Sequence, residues 1–144
     1  MNQKQPQPIL KILLADDDID DCFFFDKALN EIPIATQLTK VHDGEELMNH
    51  LSANLGNLPD ILFLDLSMPR KTGFECLSDI KENNKLDGIY IVMFSTFHAQ
   101  NSIYNQDMIN FLLKIGANDY IKKADEFVKL KQTIQKTLFQ ALKR

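Results

Sequence analysis

Residues 61–77 read ILFLDLSMPRKTGFECL, and the order of chemistry along them decides the fold. Ile61 to Leu64 is a short apolar run, suited to a strand covered on both faces. Asp65 follows at once. A loop containing Pro69 comes next. Thr72 and Glu75 then form a capping-box pattern with Gly73 and Phe74 between them, which opens a helix predicted to run to about Asn84. A strand, a loop and a helix in that order make one βα unit.

The same alternation recurs on either side. Ile9 to Ala15 (ILKILLA) is another apolar run, followed by Asp16 to Asp21 and by helical spacing over Cys22 to Glu31 that Pro33 ends. Ile34 to Val41 alternates and reads as a strand nearer an edge. Asp43 caps the next helix, with Glu46 placed to bond back, and Gly56 and Pro59 close it. Gly88 turns the chain into the buried strand Ile89 to Phe94. Ala99 to Ile115 is predicted helical with Gly116 as its C-terminal cap. Asp119 to Lys122 is a short fifth strand, and Phe127, Leu130, Ile134 and Leu138 mark the apolar stripe of a last helix. Five βα units imply an α/β fold: a parallel sheet with helices on both faces. Residues 1–8 read as a flexible N-terminal arm and residues 9–144 as one domain, with no output domain expected.

Composition narrows the function. The 144 residues are 44% hydrophobic and 25% charged, which suits one domain with a single buried core. A net charge of −4 speaks against a dedicated nucleic-acid binder. The polar start lacks the apolar segment of a signal peptide, and no run approaches the ~18 apolar residues of a membrane span. A cytoplasmic protein is expected. Cys22 and Cys76 show no metal or redox spacing. They fall on the first and third helices, on opposite faces of the sheet, too far apart for a disulfide.

In such sheets ligands bind beyond the carboxyl ends of the strands. Those ends carry Asp16, Asp17 and Asp18; Asp65; Ser95 and Thr96; and Lys122 and Lys123. Taken singly, each has a plain reading. The Asp run favours a helix N-terminus, which accounts for Asp20 and Asp21. Asp65 reads as a turn residue, Ser95 as a turn hydroxyl and Lys123 as a surface lysine. Their convergence on one rim points to chemistry. Clustered carboxylates repel unless a cation intervenes, and Mg2+ suits one or two carboxylates plus phosphate oxygens. A carboxylate can attack phosphorus and form an acyl phosphate, a reaction that needs positioning and charge neutralisation above all.

At these residues the sequence resembles the receiver domains of two-component response regulators, over about Ile9 to Leu142. ILLADDDIDD is similar to the family's first strand and acidic pair, ILFLDLSMPRKTGFECL to its phosphorylation strand and loop, IVMFST to its switch-hydroxyl strand and GANDYIKK to its aromatic-lysine strand. The resemblance implies a flavodoxin-like, doubly wound five-stranded sheet of order 2-1-3-4-5. It implies Asp65 as phosphoacceptor. Asp17 becomes a direct Mg2+ ligand, Asp16 helps, and the Ser67 backbone carbonyl completes the protein ligands. Ser95 becomes the switch hydroxyl, with Thr96 as the other candidate, Lys123 the phosphate's partner and Tyr120 the aromatic that turns inward. The implied donor is a phosphohistidine on a sensor histidine kinase or a histidine phosphotransfer protein. The domain would catalyse its own phosphorylation and slow autodephosphorylation, with bulky Phe97 lengthening the life of the phosphoform. The readout would be a face built from the fourth helix, fifth strand and fifth helix, offered to a downstream target protein or to a second copy in a homodimer. No nucleic acid or membrane partner is expected.

Two departures from the family pattern stand out. Ala124 replaces the usual proline after the lysine, so a trans bond, or strain, is expected at Lys123–Ala124, because a cis non-proline bond costs about 2.5–4 kcal/mol. The segment around His98 to Asp107 is several residues longer than usual. Three rival readings remain: a degenerate receiver that binds partners without phosphorylation, a hydrolase with an Asp nucleophile, and a nucleotide-binding domain. Asp65-Leu66-Ser67 lacks the second carboxylate of the DxD hydrolase pattern, and no Gly-rich phosphate loop is present.

Overall fold

The computed structural model describes residues 8–95 and 102–144. Five strands, β1 (Leu10–Ala15), β2 (Thr36–Val41), β3 (Ile61–Asp65), β4 (Tyr90–Ser95) and β5 (Asp119–Lys122), form one parallel sheet in the order β2-β1-β3-β4-β5. Five helices alternate with them: α1 (Ile19–Asn30), α2 (Gly44–Ala53), α3 (Gly73–Glu82), α4 (Ser102–Ile115) and α5 (Phe127–Leu142). The order reverses at β1, between its neighbours β2 and β3, which opens a crevice at the carboxyl edge.

Burial explains the apolar runs. Every residue of β3 and β4 is buried, as central strands with helices on both faces require. β2 alternates and lies at an edge. The sheet separates two apolar layers. One joins Ile12, Leu14, Phe63, Val92 and Phe94 to α1 and α5. Within it Phe25, Phe63 and Phe94 meet edge-to-face at centroid distances of 4.9–6.1 Å. The other layer joins Leu13, Leu62, Leu64, Ile91 and Met93 to α2, α3 and α4. Cys22 lies in the first layer and Cys76 in the second, both free.

Local signals set the boundaries. Asp18, not a later residue, caps α1 by accepting from the Asp21 N–H, so the helix starts at Ile19 rather than at Cys22. The Thr72–Glu75 capping box forms as expected. At α2 Asp43 accepts from the Glu46 N–H, while the Glu46 carboxylate accepts from the His42 N–H, one residue earlier than a capping box requires. This helix ends at Ala53, before Gly56. A 3-10 turn over Asn84–Leu86, not anticipated from the sequence, follows α3. Gly116 turns the chain out of α4 at φ 134°. Thr96, Phe97 and the start of the lengthened segment lie outside the described residues. No cis peptide bond occurs among the described residues, in line with the expectation at Lys123–Ala124. No helix among them is long and apolar enough to cross a membrane.

Candidate functional site

Register brings the rim residues level. Ala15 pairs with Leu64, so Asp16 emerges beside Asp65. Asp65 pairs with Phe94 and Ser95 with Lys122. Lys123 is then held by its own N–H, which donates to the Ser95 carbonyl at 2.8 Å. Four strand ends thus deliver Asp16, Asp65, Ser95 and Lys123 to one pocket, and all four are buried.

Buried polar groups need partners, and most of the pocket's polar atoms are tightly engaged. One Asp16 carboxylate oxygen accepts from the Asp18 N–H at 3.0 Å and the other from Lys123 Nζ at 2.6 Å. One Asp65 oxygen accepts from the Ser67 N–H at 3.2 Å and the other from Lys123 Nζ, also at 3.2 Å. The Asp16 carbonyl is held in turn by the His42 Nδ1–H at 3.1 Å and by the Cys22 thiol at 3.5 Å. Below the ammonium of Lys123 lies the ring of Phe94, 5.2 Å to its centroid. Burial raises the Tyr120 hydroxyl above its ordinary range, and the nearby Ser95 side chain opposes the rise.

The charges are unbalanced. Asp16, Asp17 and Asp65 can each bring a carboxylate oxygen within 4.8 Å of the others, with Asp17 exposed at the mouth. Burial pushes the Asp16 carboxyl up to about 6, against the pull of Lys123. Burial also works to lower the Lys123 ammonium, but the hydrogen bond and charge of Asp16, the charge of Asp65 and the hydrogen bond of Asp21 hold it above the ordinary lysine range. Three clustered carboxylates with hard oxygen donors fit a divalent cation of the Mg2+ or Mn2+ kind.

Sequence reasoning missed one residue here. Asp21, read as serving the helix N-terminus, places its carboxylate 3.0 Å from Lys123 Nζ. The signal available was only its position, on the first turn of a helix that starts beside the pocket. Gly73 also has a specific duty, because a Cβ there would lie 2.0 Å from the Asp65 carbonyl oxygen. Gly44 does the same from the other side, against the Lys71 carbonyl. The loop after Asp65 is therefore gripped between the starts of α2 and α3.

Comparison with known proteins bears on the fold and the family. Residues 12–135 match the model of the response regulator receiver domain. The chain is 27% identical over 135 residues to response regulator Rcp1 of Synechocystis sp., covering 91% of this chain and 88% of Rcp1. It is 25% identical over 124 residues to a probable methanogenesis regulatory protein, FilR2, of Methanothrix harundinacea, covering 82% and 80%. The Mn2+-bound form of Rcp1 superposes with a TM-score of 0.74 at 27% identity, covering 88% of this chain and 90% of that one. A phosphorylated cyanobacterial phytochrome response regulator, RcpA, superposes with a TM-score of 0.77 at 30% identity, covering 90% and 91%.

Proposed function

The chain belongs to the response regulator receiver domain family, and from that premise we propose that Asp65 accepts a phosphoryl group from a phosphohistidine donor in a two-component phosphorelay. The donor is a sensor histidine kinase or a histidine phosphotransfer protein. A carboxylate oxygen of Asp65 forms the new bond to phosphorus. The bond from phosphorus to the imidazole nitrogen breaks, and its electron pair leaves with the imidazole. Lys123, already 3.2 Å from the Asp65 carboxylate, faces the oxygens where negative charge collects.

Asp16, Asp17, Asp65 and the Ser67 backbone carbonyl are the groups that would hold Mg2+. When bound, the cation neutralises carboxylate and phosphoryl charge alike. Rcp1 has been solved in a Mn2+-bound form and RcpA in a phosphorylated one, and both support the reading. The acyl phosphate carries about two negative charges where the Asp65 carboxylate carried one, so phosphorylation adds about one and brings three acceptor oxygens. The Ser95 hydroxyl would turn to the new oxygens, and Tyr120 would move inward behind it. That rearrangement would shift the face of α4, β5 and α5 toward a form recognised by a downstream target. Residues 9–144 are the proposed receiver unit, with residues 1–8 as an arm.

The observation that carries this reading is one amine, Lys123 Nζ, 2.6 Å from Asp16 and 3.2 Å from Asp65 in a pocket where three carboxylates cluster within 4.8 Å. A phosphorylation-independent module needs none of this constellation. Incubation with acetyl phosphate, read by intact mass, tests it. The wild type should gain one phosphoryl group with Mg2+ and none with EDTA, and Asp65→Asn should gain none. Equal labelling of Asp65→Asn would overturn the assignment.

A further inference from the structure

We propose that Asp21 is a positioning residue that keeps the Lys123 ammonium at the acceptor once Asp16 turns to a bound divalent cation. The inference rests on the phosphoacceptor reading above.

An ammonium has three N–H donors. Those of Lys123 go to Asp16 at 2.6 Å, Asp21 at 3.0 Å and Asp65 at 3.2 Å. Two of these three partners belong to the carboxylate cluster suited to a cation, whereas Asp21 does not. A divalent ion beside Asp16 competes for the oxygen that makes the shortest of the three bonds, and it repels the ammonium directly. Phosphorylation then changes the Asp65 oxygens themselves. Asp21 is the partner that neither event removes.

An amine released from the pocket has somewhere to go. On the α1–α5 side of Lys123 lies a cavity of about 160 Å³, walled by Asp21, Phe24, Phe94, Phe127 and Leu130. Asp125 lines the same cavity and offers a competing anion away from Asp65. The Lys123–Asp21 pair stands between that cavity and the acidic pocket. The backbone under Asp21 is fixed, because it is the third residue of α1 and its N–H donates to the capping Asp18 carboxylate at 3.1 Å. Its side chain is one-third exposed and carries none of the apolar core, so its replacement leaves the fold standing.

The test compares wild type with Asp21→Asn and Asp21→Glu in the full chain. At saturating Mg2+, Asp21→Asn should be phosphorylated by acetyl phosphate about tenfold more slowly, short of the roughly hundredfold that a 1 Å misplacement at a reacting centre can cost. Asp21→Glu should recover most of the loss. Calorimetric Mg2+ affinity should change far less than the rate. NMR of the 15N-labelled Lys123 ammonium gives a readout apart from turnover. Its protected signal should survive Mg2+ addition in wild type. In Asp21→Asn it should be present without Mg2+, when Asp16 holds the amine, and broaden away with it. A wild-type rate in Asp21→Asn, no recovery in Asp21→Glu, or an ammonium signal in Asp21→Asn that Mg2+ leaves unchanged would overturn the role. Wild type that takes no phosphoryl group on Asp65 would instead sink the underlying function, so the two failures are distinguishable.

Discussion

Asp60 stands just before β3 and Asp65 at its end. At the amino end, one Asp60 oxygen accepts from the Lys11 N–H at 2.8 Å, while its N–H donates to the Lys11 carbonyl and its carbonyl accepts from the Tyr90 N–H. Asn118 repeats the device, bonding the Ile91 N–H by side chain and the Ile91 carbonyl by backbone, both at 2.8 Å. Each of these groups completes a ladder that the strands leave unfinished. At the carboxyl end the sheet instead delivers Asp16, Asp65 and Lys123 to one another, with Asp17 and Asp21 at the margin. Three carboxylates contact one ammonium there, and Asp17 adds a fourth acid beside them. One end of the sheet is self-sufficient in hydrogen bonds. The other is short of positive charge, and a ligand can supply it.

Three substitutions probe this contrast. Removing Lys123 should have the largest effect on stability, since it leaves buried carboxylates without their counter-charge. Lys123→Met should lose about 3–5 kcal/mol in metal-free urea unfolding, and Mg2+ should restore more stability than it adds to wild type. Equal metal-free stability would mean that the carboxyl end is no more frustrated than the amino end. Asp60→Ala comes next. It strands the Lys11 N–H and should cost about 1–3 kcal/mol, with phosphorylation per folded molecule unchanged. A phosphorylation defect there would break the separation of the two ends. Asp18→Ala sharpens the contrast from within the acidic run. Asp18 is a helix cap at the carboxyl end, so it should lose about 1 kcal/mol in chemical unfolding, as a cap does, while Asp65 still takes one full phosphoryl group at the end point.

The division between ends also explains what the sequence made legible. Strand runs such as ILKILLA and ILFL have no alternative burial, so the residue just past each run falls on the rim by necessity. Asp16, Asp65, Ser95 and Lys123 could be placed by counting, and the structure brings them together. Asp21 could not. Its contact depends on the direction of the Lys123 side chain, 102 residues further on, and an acid in a first helical turn already has an adequate local explanation. His42 was equally hidden, because its contact is with a backbone carbonyl of Asp16, to which no side-chain pattern refers. The Asn84–Leu86 turn follows from Asn83, whose side chain accepts from the Lys85 N–H, a signal too short to separate from the end of α3.

The hydrogen-only clearance at Gly73 and Gly44 has a consequence for anyone redesigning this domain. A methyl group at either site would press on the Asp65–Lys71 segment, from opposite flanks, and shift the backbone that sets the acceptor. Combinatorial libraries aimed at partner choice or phosphoform lifetime should therefore hold both glycines constant. Diversity belongs at Ser67, whose exposed side chain leaves the grip on the loop untouched, and not at Arg70, which sits at φ 69° and pairs with Asp43, the cap of α2.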